Sequence, residues 1–265
     1  MPSFSLSLAA MDLLWDQLRL GAPVRIFEIP SVGATMTDRE RILGIVLEDL
    51  ASRNLAYRGR LAPEIEEALV TLGRFRTAVE VVALPAEDEQ ILARFASNGR
   101  TAVSARLADQ TVRFETLRPE SMLAEAVQLI GTEKPGPGRS VTYPETQPPP
   151  PRRRGADEGF SGVFDEPPGV DAYQRERRAA QTMWERPRKR IGMFTVYGRD
   201  RAGREAPLPV LSWFDTDEGR YLGHIRPGPD GRRWTTYSPA DTTRITQQLA
   251  GMLTAVDQPV ARQGR

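Results

Sequence analysis

The sequence predicts an α+β fold in which a duplicated unit, arranged about a quasi-two-fold axis, contributes its strands to one central antiparallel sheet covered by helices. Two runs of four strand-like segments, each followed by a helix, occupy the two halves of the 265-residue chain. A shift of 120 positions lays one run on the other: Gly99 and Arg100 meet Gly219 and Arg220, and the register then pairs Arg106 with Arg226, Arg113 with Arg233, Phe114 with Trp234, Pro119 with Pro239 and Gly131 with Gly251. These are the positions a repeat needs: turn glycines, strand aromatics and a proline that opens a helix. Between the runs the composition changes, with 9 prolines and 6 glycines among the 39 residues 132–170.

In chain order, Phe4 to Leu8 alternates like a strand and feeds a helix from about Ala9 to Leu20, with Met11, Leu14, Trp15 and Leu18 on one face. Thr37 and Glu40 form a capping box for a second helix, in which Ile42, Ile45, Val46 and Leu50 recur at helical spacing until Asn54 offers a C-terminal cap. Pro63 opens a third helix that ends near Gly73. Four strands follow, Phe75–Leu84, Ile91–Ala96, Thr101–Leu107 and Thr111–Leu117, closed by a helix from Pro119 to Ile130. The second half opens with a charged helix, about Asp171 to Glu185, before four more strands and a last helix from Pro239 to about Thr254.

This organisation divides the chain into an N-terminal half (1–131), a linker (132–170), a C-terminal half (171–256) and a disordered tail (257–265). Proline- and glycine-rich composition buries too little apolar surface to offset the entropy of ordering, so the linker is expected to be mobile and open to proteolysis.

Composition excludes several classes of function. With 36 basic and 35 acidic residues the formal charge is +1, which draws the chain neither to nucleic acid nor to an acidic membrane surface. No segment approaches the roughly 20 apolar residues of a membrane span and the N-terminus lacks the pattern of a signal peptide, so a cytoplasmic location is expected. Without cysteine there is neither a disulfide nor a thiolate nucleophile. The one histidine, His224, lies mid-strand with Ser104 as its repeat counterpart, and reads as a structural or exposed imidazole, not a catalytic base. Asp215 to Gly219 has the acidic spacing that opens some calcium loops but no later glutamate, so it reads as a β-turn. No phosphate-binding loop or dinucleotide fingerprint is present. The basic runs Arg152–Arg154 and Arg186 to Arg190 stand beside acids and read as solvated charge. The expectation is a protein without catalytic residue, cofactor or metal.

One asymmetry between the halves points to binding. Residues 75–131 hold three aromatics, whereas 195–251 hold six: Tyr197, Trp213, Phe214, Tyr221, Trp234 and Tyr237. Core positions should be shared, which assigns Phe95 with Phe214, and Phe114 with Trp234, to packing. Trp213, Tyr221 and Tyr237 then face Arg94, Thr101 and Leu117 and lack packing equivalents. Such rings bury much area at little entropic cost and are frequent in interfaces. Together with Arg220, and with Gln248 on the last helix, they form the predicted partner-binding face, with the Trp213 ring expected on the surface; Ile245, Leu249 and Met252 pack the helix beneath.

The opening, LSLAAMDLLWDQLRLGAPVRIFEIPSVGATMTDRERIL, resembles the start of EspG proteins, and WFDTDEGRYL with RRWTTYSPADTTRITQQLAGML is similar to the final strands and helix of that family. The resemblance spans nearly all of the chain outside the linker. It implies a quasi-two-fold fold with a central antiparallel sheet and flanking helical bundles. It also implies a cytosolic, substrate-specific chaperone of a type VII (ESX) secretion system, a monomer or weak dimer that clamps the apolar tip of a helical PE/PPE-like heterodimer with its sheet and its C-terminal helical region. The alternative left by the residues themselves is a self-associating structural or regulatory protein without catalytic activity.

Overall fold

Eleven strands line up in a single sheet that runs through both halves of the chain, seen in a computed structural model that describes residues 3–85, 90–146, 168–200, 202–228 and 231–257. Strand β1 (Ser3–Ser7) leads into α1 (Leu8–Gln17), capped by the Ser7 hydroxyl, which accepts from Ala10 N at 3.1 Å. Helix α2 (Met36–Ser52) is capped two residues before the predicted box. Its cap is Thr35, whose hydroxyl accepts from Asp38 N at 3.1 Å and donates to the Asp38 carboxylate. Asn54 ends it with φ +59°, the left-handed conformation that asparagine tolerates. A small hairpin, β2 (Ala56–Tyr57) and β3 (Arg60–Leu61), joins it to α3 (Pro63–Gly73).

The first run of strands is β4 (Thr77–Pro85), β5 (Ile91–Ser97), β6 (Ala102–Ala108) and β7 (Thr111–Leu117), followed by α4 (Met122–Gln128). Then comes β8 (Val141–Pro144), a strand inside the segment predicted to be a linker. Val141 is fully buried there and β8 pairs with a strand of the second half, so 132–146 belongs to the fold and not to a mobile connection. The proline run and Arg152–Arg154 lie outside the described residues, as do 258–265 of the predicted tail. Helix α5 (Pro168–Trp184) precedes β9 (Arg188–Arg199), β10 (Glu205–Pro207), β11 (Leu211–Thr216), β12 (Arg220–Pro227), β13 (Arg233–Pro239) and α6 (Thr242–Asp257).

The sheet order is β1-β7-β6-β5-β4-β9-β11-β12-β13-β8, with β10 also on β9, and each ladder is antiparallel. The two runs meet at the β4/β9 ladder, where Val81 pairs with Phe194. The halves are therefore joined by main-chain hydrogen bonds across one continuous sheet.

Alternation along the strands decides which residue enters which core. Val79, Val81 and Ala83 of β4, Phe95 of β5, Phe194 and Val196 of β9, and Leu211 and Trp213 of β11 point to the face covered by α4 and α6, where Met122, Val127, Ile245 and Leu249 close the core. On the opposite face, α1, α2 and α3 cover the first run through Met11, Leu14, Leu50, Leu69 and Leu72, with Phe4 stacked on Phe114 at 4.8 Å. Helix α5 covers the second run through Ala180 and Met183, against Phe214, Tyr221 and Val141.

The ladders correct the 120-residue register. The β5/β6 and β11/β12 hairpins close at Ser97↔Ala102 and Asp215↔Arg220, so each has a four-residue turn and the positions correspond at a shift of 118. Trp213 then stands where Phe95 stands, not opposite Arg94. The next hairpin has two turn residues in the first run (Ala108↔Thr111) and five in the second (Pro227↔Arg233), which brings Tyr237 to the place of Phe114. A gapless diagonal misses such differences in turn length.

Candidate docking surface

The five residues expected to bind a partner do not form one surface. Trp213, Arg220 and Tyr221 each have 0% exposure, Tyr237 and Gln248 are partly buried, and they divide between the two faces of the sheet. The expectation that Trp213 presents its ring to solvent is thus corrected: the ring lies under α4 and α6 because β11 alternates it toward that core.

Arg220, 5.0 Å from the Trp213 ring, donates to both Asp215 oxygens (2.6 and 3.0 Å) and to the carbonyls of Ile130 and Gly131 (2.9 and 3.0 Å). Asp215 also accepts Arg190 at 2.7 Å. Asp215, the first acid of that segment, is therefore part of a buried anchor that ties the end of the first half to the second, while Asp217 and Glu218 of the turn are exposed. No group of side chains suited to a metal ion occurs among the described residues. Tyr221 and Tyr237 join Phe214 and Trp184 in an aromatic cluster on the opposite face, while Gln248 lines a cavity of about 550 Å³ with His224, Gln247 and Met252. Burial, and then the cations Arg226 and Arg244, hold the His224 imidazole below its ordinary value.

Besides single exposed apolar residues such as Met36, Ile45 and Tyr57, a contiguous exposed apolar patch lies at the centre of the sheet. Leu84, Ile191 and Met193 are 49%, 37% and 41% exposed, and Leu84 pairs directly with Ile191, as Val82 does with Met193. Leu92, the partner of Val82 on β5, extends the row on one side, and Ser212, the partner of Met193 on β11, on the other. These side chains alternate away from α4 and α6. The helices of the opposite face leave Leu84, Ile191 and Met193 open, with α1–α3 over the first run, where Leu92 packs against their core, and α5 over the second. The result is an apolar floor between two helical walls, with Trp184 of α5 stacked on Phe214 beside Ile191 (4.5 Å between rings). The sequence held a signal for it: TAVEVVALP and IGMFTVYG carry apolar residues on both strand faces, the pattern of a strand covered twice, and the second face is covered at Ala78 but open at Leu84, Ile191 and Met193.

Two residues further along the same face the floor becomes charged. Arg94, 2% exposed, donates to Glu80 (3.2 Å) and Glu205 (2.9 Å) and stacks between Phe75 and Tyr197 (4.7 and 5.1 Å). The Tyr197 hydroxyl donates to Glu80 at 2.6 Å. Burial raises the Glu80 carboxyl against the opposing pull of Tyr197 and Arg94, and burial together with Glu80 raises the Tyr197 phenol.

Comparison with known proteins places this geometry. The EspG family model matches residues 7–251. The chain belongs to the EspG family. No curated protein matches it, whereas 14 chains of solved structures do. One of them is the Mycobacterium tuberculosis type VII secretion system chaperone EspG5, in a complex with the PE25-PPE41 dimer; it is 11% identical over 98% of both chains, with a TM-score of 0.64. At that identity the likeness is one of fold. No helix among the described residues of this EspG protein is long and apolar enough to cross a membrane.

Proposed function

We propose that this EspG protein is a cytoplasmic, non-catalytic chaperone of a type VII secretion system that holds a PE/PPE-like helical heterodimer on the apolar floor of its sheet. The observation that carries the reading is the exposure of Leu84, its partner Ile191 and Met193, beside the half-buried Val82, between two helical walls. Contiguous apolar surface on a folded monomer marks a place where something docks. A groove with a flat floor and two walls suits the end of a helical bundle, which inserts apolar residues between the walls. The dimer in complex with EspG5, a protein of the same fold, is the precedent for the partner class. Trp213, Arg220 and Tyr221 act in this reading as the scaffold that holds the floor and α5 in place, and Tyr237 supports the Trp184 wall.

The fold itself reads as two copies about a quasi-two-fold axis through the Val81–Phe194 pair, with helical bundles at the flanks. The strand order on either side of β4/β9, and the equal four-residue turns of β5/β6 and β11/β12, support this.

The test is a titration of the full chain against purified PE–PPE heterodimers, PE25-PPE41 among them, by calorimetry. Met193→Asp places a charge in the middle of the floor and should weaken the pair that binds the wild type by at least about 2 kcal/mol, a hot-spot effect, with the melting temperature nearly unchanged. Undiminished affinity would move the docking face elsewhere. A wild-type chain that binds no pair and dimerises through this floor would support self-association instead.

A further inference from the structure

The charged end of the groove contains more cation than it neutralises. A cavity of about 480 Å³ opens there, lined by four arginines (Arg25, Arg94, Arg199 and Arg204) and two glutamates (Glu80 and Glu205) among its residues. Both glutamates are engaged by Arg94, and Arg204 pairs with Asp200 at 2.9 Å. Arg25 and Arg199 have no carboxylate within ion-pair distance among the described residues.

Arg199 is held in place without an acid. It donates to the carbonyls of Phe75 (2.9 Å), Gly203 (2.7 Å) and Gly73 (2.6 Å), and stacks on the Phe75 ring at 4.3 Å. A guanidinium has five N–H donors, so these three bonds fix its plane and leave two unused. Arg94 lies on the same Phe75 ring at 4.7 Å, and its Nε is buried without a partner. Burial lowers the Arg199 pKa against the opposing pull of Glu205, with a smaller contribution from Arg94 in the same direction as burial. A rigid cation already short of compensating charge gains from an anion at low entropic cost, and a planar guanidinium favours a carboxylate.

We propose that this cavity is a carboxylate-recognition subsite of the docking groove, in which an acidic side chain of the docked helical partner pairs with Arg199 and, at the mouth, with Arg25. The inference rests on the docking reading above. It follows from continuity: Glu80 is two residues before Val82 on β4, Arg94 two after Leu92 on β5, and Tyr197 and Met193 share one face of β9, so a partner lying along the floor meets the cavity with the flank of its tip. Apolar contact with the floor is permissive, whereas a buried ion pair set against unpaired cations rejects partners that lack the acid; the subsite is thus a selectivity element.

The experiment uses Arg25→Glu, an exposed position whose side chain makes no hydrogen bond or ion pair among the described residues, with Arg25→Lys and Met193→Asp as companions. Each is titrated against the PE–PPE heterodimer that binds the wild type, at low and at high salt. Arg25→Glu should weaken binding at least about tenfold and flatten its salt dependence, with melting unchanged, while Arg25→Lys retains most of the affinity. Replacing the responsible partner acid by lysine should restore binding to Arg25→Glu. If Met193→Asp abolishes binding and Arg25→Glu leaves both affinity and salt dependence unaltered, the subsite is wrong and the docking floor stands. If Met193→Asp has no effect, or no heterodimer binds the wild type, the floor fails and the subsite with it.

Discussion

Trp213 lies against the backbone of Gly192, its direct partner in the β11/β9 ladder, so closely that a Cβ on Gly192 would come within 2.7 Å of the indole Cζ2. In the first run the corresponding pair is Phe95 and Val79, a smaller ring on a larger neighbour. The two pairs fill the same layer with volume distributed in opposite ways, as close packing requires. Trp213→Ala should therefore destabilise the chain by about 3–5 kcal/mol in chemical denaturation, the range for emptying a buried aromatic site. Trp213→Phe should cost much less, because it also removes a buried indole N–H that has no acceptor. Equal losses from both substitutions would refute the packing account.

The ladders likewise separate two aromatics that the sequence register had equated. Phe114 is fully buried and stacked on Phe4, whereas Trp234 is only partly buried near the β13 end of its hairpin. Phe114→Ala should cost on the order of 3–5 kcal/mol, and Trp234→Ala clearly less, roughly 1–2 kcal/mol. Similar costs for the two would restore the 120-residue equivalence.

Residues 134–137 are held by the second half at a point of close approach. Gly136 N donates to Arg220 O and Arg220 N to Lys134 O (2.9 and 2.8 Å), and the Tyr221 hydroxyl donates to Pro137 O at 2.9 Å. A side chain on Gly136 would overlap the Tyr221 ring. Gly136→Ala should lower stability by about 1–3 kcal/mol through overpacking. In a Tyr221→Ala background the same change should have little effect; an undiminished loss there would place the strain in the backbone instead.

His224 supplies a pH dependence of known sign. Its folded pKa lies below the ordinary 6.5, with Arg226 and Arg244 adding to the effect of burial. As pH falls through 6.5 the unfolded chain takes up a proton that the folded chain resists, so this group makes folding less favourable between the unfolded and the lowered folded value. Melting of the wild type should thus decline faster than that of His224→Gln between about pH 7 and 5.5. Parallel curves would show that the imidazole titrates freely in the folded state. As the chain's one histidine, it can be followed directly by NMR.

Local pattern in the sequence was sufficient for most element types, the cap at Asn54 and the α+β class, because periodicity and turn chemistry are properties of short segments; Pro119 opens a 3-10 turn that leads into α4, but Pro239, expected to open the last helix, instead ends β13, and α6 starts at Thr242. The opening and closing motifs were sufficient for the family. Three things depended on the tertiary structure. Strand β8 escaped a compositional reading because its stability comes from β13, more than 90 residues away in the chain, and not from its own proline-rich surroundings. The expected 120-residue register fails at hairpins of unequal length, which no gapless comparison of the sequence registers. Exposed rings were expected among aromatics without a counterpart, whereas the exposed residues at the centre of the sheet are aliphatic ones and a methionine that had looked like core. Alternation tells which residues of a strand share a face, but whether a helix covers that face depends on elements packed from elsewhere. Trp213 and Met193 share opposite faces of one sheet, the first sealed under α4 and α6 and the second left open between α1–α3 and α5.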